Sequence, residues 1–192
     1  MKADILILAG GKSSRMGGKH KGDLSCGNES FTQRLISELK DGANQLWLSY
    51  GEIVRTTYPE CRIVTDEFPG CGPMGGLHAG LNCCESNVLW VAACDMPRLK
   101  RELYGYLASF LGDHLAVVPL LDGRPQPLAA IYTKEMQSVF ETCLHAGNFR
   151  LRSALDQADI CYVDITDQPQ FCLMLQNINT EEEYRSFLKE SE

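Results

Sequence analysis

The chain has 192 residues and a formal net charge of −7 at pH 7. That fits one domain over 1–192, able to bury about 70% of its unfolded surface, and argues against a nucleic-acid binder, whose affinity rests on excess Lys and Arg. Hydrophobic residues make up 44% and charged residues 22%, ordinary for a globular protein, and no apolar run approaches the roughly 20 residues that span a membrane.

Met1-Lys2 leads almost directly into an apolar run, without the pattern of a signal peptide. Nine cysteines without Cys-x-x-Cys spacing read as reduced, mostly buried thiols, not as a disulfide frame or zinc site. The expected location is the cytoplasm. The run Ile5–Leu8 reads as a buried parallel strand. It stops at a loop holding Gly10, Gly11, Gly17 and Gly18 with Lys12, Arg15, Lys19 and Lys21. Glycines let backbone amides converge on phosphate oxygens, and the cations supply the opposing charge, so a nucleoside triphosphate is the expected ligand. Two familiar patterns fail. Leu6 stands where a P-loop needs its first glycine, and Lys12 where the dinucleotide fingerprint needs its second.

Further along, Ser30-x-x-Gln33 is a capping box for a helix with Phe31, Leu35 and Leu39 on one face, ended by Gly42. Strands are expected at 46–50 and 62–65, then a compact loop from Asp66 to Gly76. A helix beginning near Met74 carries Leu77 and Leu81 inward, with Gly75 and Gly76 admitting a ligand or a neighbouring strand. The run 88–93, VLWVAA, is apolar on both faces and reads as the central parallel strand. It ends at Asp95, where open α/β sheets bind ligands. A helix is expected at 99–111, with Leu99, Leu103, Tyr106 and Phe110 on one stripe. An antiparallel hairpin of 115–121 with 127–132 should follow, then helices at 133–146 and 150–157 and a strand at 160–165. The segment 171–175 reads as a short strand or extended segment, and Thr180-x-x-Glu183 caps a last helix. The four histidines, His20, His78, His114 and His145, read as surface or capping residues. The alternation gives an α/β fold with a mainly parallel sheet.

A triphosphate between a glycine loop and an acidic strand end calls for Mg²⁺, which takes one or two carboxylates plus substrate phosphates; Asp95 is the better-placed carboxylate. Lys21 would balance phosphate charge, and Arg15 could reach the leaving pyrophosphate or the second substrate.

Leu8-Ala9-Gly10-Gly11, then Arg15-Met16-Gly17-Gly18 and Lys21, resembles the signature of nucleotidyltransferases related to the molybdenum cofactor guanylyltransferases. Asp66 with Gly72–Gly76, Ala93–Pro97, Gln126–Tyr132 and Asn177–Thr180 resemble that family's later motifs, in order. The resemblance implies a three-layer Rossmann-like, glycosyltransferase-A-like fold with a mainly parallel mixed sheet. It implies transfer of GMP from GTP to molybdopterin or molybdenum cofactor, with cofactor-insertion proteins as possible further partners. It places Leu8, Ala9, Gly10, Gly11, Lys21 and Ser49 at the nucleotide, Asp66 on the nucleoside side and Asp95 on Mg²⁺. Gln126, Pro127, Asn177 and Asn179 fall to the second substrate. Ser49 stands where relatives tend to carry Asn, and His20 and Asp23 replace the usual residues around Lys21. Gly10, where cytidylyltransferase relatives tend to carry Ala, leaves room for a purine. The alternatives are a cytidylyltransferase, a sugar-phosphate nucleotidyltransferase, or a non-catalytic nucleotide-binding carrier.

Overall fold

Strand β1, Ala3–Leu8, is buried along its whole length. Because side chains alternate across a strand, Ile5 and Ile7 enter one apolar core and Leu6 and Leu8 the other. The computed structural model describes residues 3–10, 21–51 and 53–191. After β1 come the short β2 (Ser25–Cys26) and β3 (Glu29–Ser30), then α1 (Phe31–Leu39), β4 (Ala43–Ser49), β5 (Cys61–Val64), α2 (Pro73–Cys83) and β6 (Val88–Ala93). They are followed by α3 (Arg101–Ala108), β7 (Ala116–Leu121), β8 (Arg124–Pro125), β9 (Ile131–Thr133), α4 (Met136–His145), α5 (Leu151–Leu155), β10 (Ile160–Asp164), α6 (Pro169–Met174) and α7 (Glu181–Ser191).

The main sheet runs in the order β10-β7-β9-β6-β1-β4-β5, with β8 paired to β7. β1 pairs in parallel with β4 on one side and β6 on the other. The chain therefore leaves β1 in one direction and returns on its opposite flank, and such a switch point opens a crevice at the carboxyl ends of the strands. β9 runs antiparallel to both β6 and β7, so it joins two parallel halves into one mixed sheet. Helices α1, α3 and α6 cover one face through Leu35, Leu103 and Phe171. Helices α2, α4 and α5 cover the other through Leu77, Phe140 and Leu155. The result is the three-layer α/β architecture.

Several expectations change. Residues 171–175 lie in and just after helix α6, not in a strand: Pro169 opens it, and Phe171, Met174 and Leu175 are buried at helical spacing. The returning arm of the hairpin shrinks to β9, while β7 turns tightly onto β8 through Asp122 and Gly123, both at positive φ. Helix α3 is shorter than expected; bonds from Ser109 N to Tyr106 O and from Phe110 N to Leu107 O tighten its end and leave Phe110 exposed. His78 is not a surface residue: it is 1% exposed, packed edge-on against Phe68 and beside Gln137. Nor are the thiols mostly buried. Cys84, Cys94 and Cys143 are, Cys83 is exposed and the other five are half-buried; all nine are unpaired.

One buried charge lies at the amino edge of the sheet. Asp4 is fully enclosed in β1. Burial pushes its carboxyl up, but bonds from Ser86 Oγ (2.7 Å), Glu85 N (2.8 Å) and Trp47 Nε1 (3.3 Å) outweigh that and hold it below the ordinary carboxylate range.

Candidate active site

Three strand tips meet at the carboxyl edge. Ala9 N donates to Ser49 O at 2.8 Å and Cys94 N to Leu8 O at 3.0 Å, so the end of β1 is fastened to the ends of β4 and β6. Gly10 follows, pressed against the chain beyond β4. A Cβ there would stand 2.8 Å from the Tyr50 carbonyl oxygen. The space of the missing methyl group is thus filled by the protein's own backbone, and the expected room for a purine is not what this glycine provides. Gly76 plays a similar part in α2: a Cβ there would come within 2.7 Å of Leu8 Cδ2 and 3.1 Å of Ser49 Oγ. Of the occupants expected beside the two glycines of this turn, the neighbouring strands β1 and β4 approach Gly76. On this flank Ser49 Oγ donates to Asp66 Oδ1 at 3.1 Å and accepts from Gly51 N at 3.3 Å. The two residues expected near the nucleoside therefore form one unit.

On the other flank Asp95 follows β6. Lys21 opens a 3₁₀ turn over Lys21–Asp23 that is pinned to α1, with Thr32 Oγ1 donating to Gly22 O at 3.1 Å. Its Nζ donates to Asp95 Oδ2 at 2.9 Å and also to Asn179 Oδ1. An ammonium carries three protons, so one has no acceptor among the described residues. Lys21 and Asp95 side chains are each 23% exposed, sheltered enough for their charges to matter and open enough to meet a ligand. Asp95 Oδ1 is buried and has no hydrogen-bond partner among the described residues.

The segment carrying Asn179 is held at both ends. Ile178 N donates to Asp95 O at 2.8 Å, docking it on the tip of β6. Glu183 Oε2 accepts from Asn179 N at 2.7 Å and Thr180 N at 2.9 Å, while Glu183 N donates to Thr180 Oγ1 at 3.2 Å. This is the expected capping box, extended by one amide. The Asn179 amide is the main reason that the Glu183 carboxyl lies below its ordinary range. Behind it, α7 buries Phe187 against Phe31, with ring centroids 5.2 Å apart.

The expected site residues therefore divide. Leu8, Ala9, Gly10, Ser49 and Asp66 gather on the β1–β4 side, and Lys21 and Asp95 on the β1–β6 side. Gln126 and Pro127 lie at the same sheet edge across β9, where Gln126 N donates to Pro119 O at 2.9 Å and Pro127 O accepts from Tyr132 OH at 2.7 Å. Asn177 lines a groove of about 370 Å³ with Arg98 and Phe187. Asn179, expected with them, touches Lys21. Gly11 and Arg15 lie outside the described residues. Sequence reasoning missed this use of Asn179, and it missed Glu183 as more than a helix cap.

The donor set suits Mg²⁺. Among the described residues no three His, Cys, Asp or Glu side chains cluster to hold a metal. Asp95 offers a buried carboxylate oxygen that has no partner among the described residues, and Mg²⁺ commonly takes one or two carboxylates, keeping water and substrate phosphates for its other positions.

Comparison with known proteins gives the chain's family and fold. A family model described as the MobA-like NTP transferase domain matches residues 5–161. A protein of Clostridium perfringens named probable molybdenum cofactor guanylyltransferase is 29% identical over 205 residues, covering 100% of this chain and 99% of that protein. Among solved structures, molybdopterin-guanine dinucleotide biosynthesis protein A from Archaeoglobus fulgidus superposes with a TM-score of 0.83 at 21% identity, covering 97% of each chain. The 2-C-methyl-D-erythritol 4-phosphate cytidylyltransferase from Thermus thermophilus gives a TM-score of 0.73 at 14% identity, over 100% of this chain and 99% of that one. At those identities the two structures speak for the fold.

Proposed function

Because the chain belongs to the MobA-like NTP transferase family, we propose that it transfers GMP from GTP to molybdopterin or molybdenum cofactor, forming the guanine dinucleotide and releasing pyrophosphate. The observation that carries this reading is the meeting of Lys21 and Asp95 beside the β1 tip, with a lysine proton and a carboxylate oxygen unused. In the transfer, a phosphate oxygen of the pterin bonds to the α-phosphorus of GTP. The bond from that phosphorus to the oxygen bridging it to the β-phosphate breaks, and pyrophosphate leaves with the electron pair. A phosphate nucleophile is already an anion at pH 7, so no general base is needed. The protein's work is positioning and neutralisation.

Lys21 would lend its spare proton to the triphosphate, and the backbone around Ala9 and Gly10 would line it. Asp95 would hold Mg²⁺ through Oδ1; the ion, when bound, would neutralise charge on the phosphate oxygens. Ser49 and Asp66 would face the nucleoside. Gly11 would join the cradle, and Arg15 would balance charge on the pyrophosphate or the pterin phosphate. Gln126, Pro127 and Asn177 would lie toward the pterin. Among the described residues no helix is long and apolar enough to cross a membrane; the reading places the work in the cytoplasm, with handover to cofactor-insertion proteins. The cytidylyltransferase and sugar-phosphate readings have only the shared fold behind them.

The test is to incubate the protein with GTP, Mg²⁺ and molybdopterin, beside a parallel reaction with CTP, and to follow dinucleotide and pyrophosphate. Guanine dinucleotide with stoichiometric pyrophosphate is expected. No product, or preference for CTP, removes the reading.

A further inference from the structure

Lys21 is held by Asn179, whose own backbone amide donates to the Glu183 carboxylate. The matched family segment ends at residue 161, yet the acceptor held by Lys21 comes from residue 179. An asparagine amide on a loop is a poor anchor unless its backbone is fixed, because each free dihedral lets the side chain wander. Here the backbone is fixed twice. Ile178 N is tied to Asp95 O at 2.8 Å. On the other side of Asn179, Glu183 Oε2 takes the Asn179 amide at 2.7 Å and the Thr180 amide at 2.9 Å. An ordinary capping box uses its glutamate on one N-cap amide. This one reaches a residue further, to the amide of the residue whose side chain receives Lys21. Glu183 in turn sits in the first turn of α7, whose position is set by Phe187 in a small core with Leu24, Phe31 and Ile178.

We propose that Glu183 is a positioning residue for nucleotidyl transfer: by gripping the Asn179 amide it sets the Asn179 side chain against Lys21, and so aims the Lys21 ammonium. The inference rests on the GMP-transfer reading. It moves Asn179 from the pterin to the lysine. The ammonium then has two fixed acceptors, Asp95 and Asn179, and its third proton points to one place.

The experiment compares variants in the GTP–Mg²⁺–molybdopterin assay, reading kcat, KM for each substrate and Tm. Glu183→Ala should lower kcat about 10- to 100-fold, the scale of a misplaced catalytic group, with KM for molybdopterin unchanged. Asn179→Ala should lose as much, and the double variant no more than either single one, because the two act through one contact. Glu183→Gln, which keeps an acceptor oxygen, should retain most of kcat. Tyr184→Phe removes another tether of α7, the 2.6 Å bond to Ser25 O. It should lower Tm and leave kcat alone, separating positioning from simple helix stability. Should the alanine variant fail to fold, Glu183→Asp, one methylene shorter, carries the same expectation. Parental kcat in Glu183→Ala (or, if it does not fold, Glu183→Asp) overturns the proposal. So do losses that multiply in the double variant, and a raised KM for molybdopterin with intact kcat in Asn179→Ala. A parent protein that makes no dinucleotide overturns the transfer reading itself, and this inference with it.

Discussion

Replacing Gly10 with alanine separates two explanations of that glycine. If the missing methyl group made room for a purine, the variant would fold as before and shift its preference from GTP toward CTP, by the roughly 1–3 kcal/mol that one methyl group is worth in a pocket. The contacts say otherwise. The new Cβ would stand 2.8 Å from Tyr50 O, 2.9 Å from Tyr50 C and 3.3 Å from Gly51 N, where ordinary contact begins at 3.4 Å. These are backbone atoms next to a strand already bonded to β1 through Ala9 N and Ser49 O at 2.8 Å, and they cannot swing aside as a side chain would. The tips of β1 and β4 must part by about 0.6 Å, the gap between 2.8 and 3.4 Å. Overpacking of this kind costs about 1–3 kcal/mol, which for a chain of this size lowers Tm by about 2–12 °C. The displaced tip carries the proposed nucleotide cradle, so turnover should fall about 10- to 100-fold with GTP. The GTP:CTP ratio should stay unchanged. Calorimetry and a pyrophosphate-release assay with both nucleotides read the two effects. Unchanged Tm together with a tenfold or larger swing toward CTP would refute the steric argument.

Two further outcomes follow from single contacts. Asp95→Asn keeps the shape but removes the charge that pairs with Lys21 and would hold the metal; turnover should drop by about 10³-fold, several kcal/mol of charge stabilisation, while Tm stays near the parent's. Activity within tenfold of the parent would reassign the metal ligand. Asp4 sets an acid limb. Its folded carboxyl titrates below the ordinary 3.8, so the unfolded chain takes up protons first as pH falls, and the stability present above pH about 4 is lost as pH drops through the folded value. Urea midpoints between pH 6 and pH 3 should therefore fall more steeply for the parent than for Asp4→Asn. Parallel profiles would show that the carboxylate is not the cause.

How much of this was legible in the sequence depends on how far apart the partners lie. Runs apolar on both faces, 5–8 and 88–93, identify the central parallel strands, and a strand tip is where ligands gather, so Asp95 and the first glycines could be placed from pattern alone. Both capping boxes formed as spaced. The helix at Phe171 was missed because Cys172 and Leu173 fill the gaps between its buried positions and make the run look continuous. The shape of the hairpin depends on which strand slots beside β6, a tertiary outcome that local alternation does not encode. Gly10 shows a different limit. A glycine announces that something comes close, but not whether that something is a ligand or Tyr50. Likewise, the Lys21 contacts span 74 and 158 positions, and no local rule links residues so separated.

That last separation bears on how the protein is made. Residue 21 leaves the ribosome long before residue 179, so during synthesis the lysine waits with one acceptor missing until another 158 residues have emerged. Contacts of such long range form late and tend to slow folding. A nascent chain could assemble its sheet early and still lack the Asn179 contact, and under the positioning role proposed for Glu183, helix α7 is less an appendage than the latch that readies the centre.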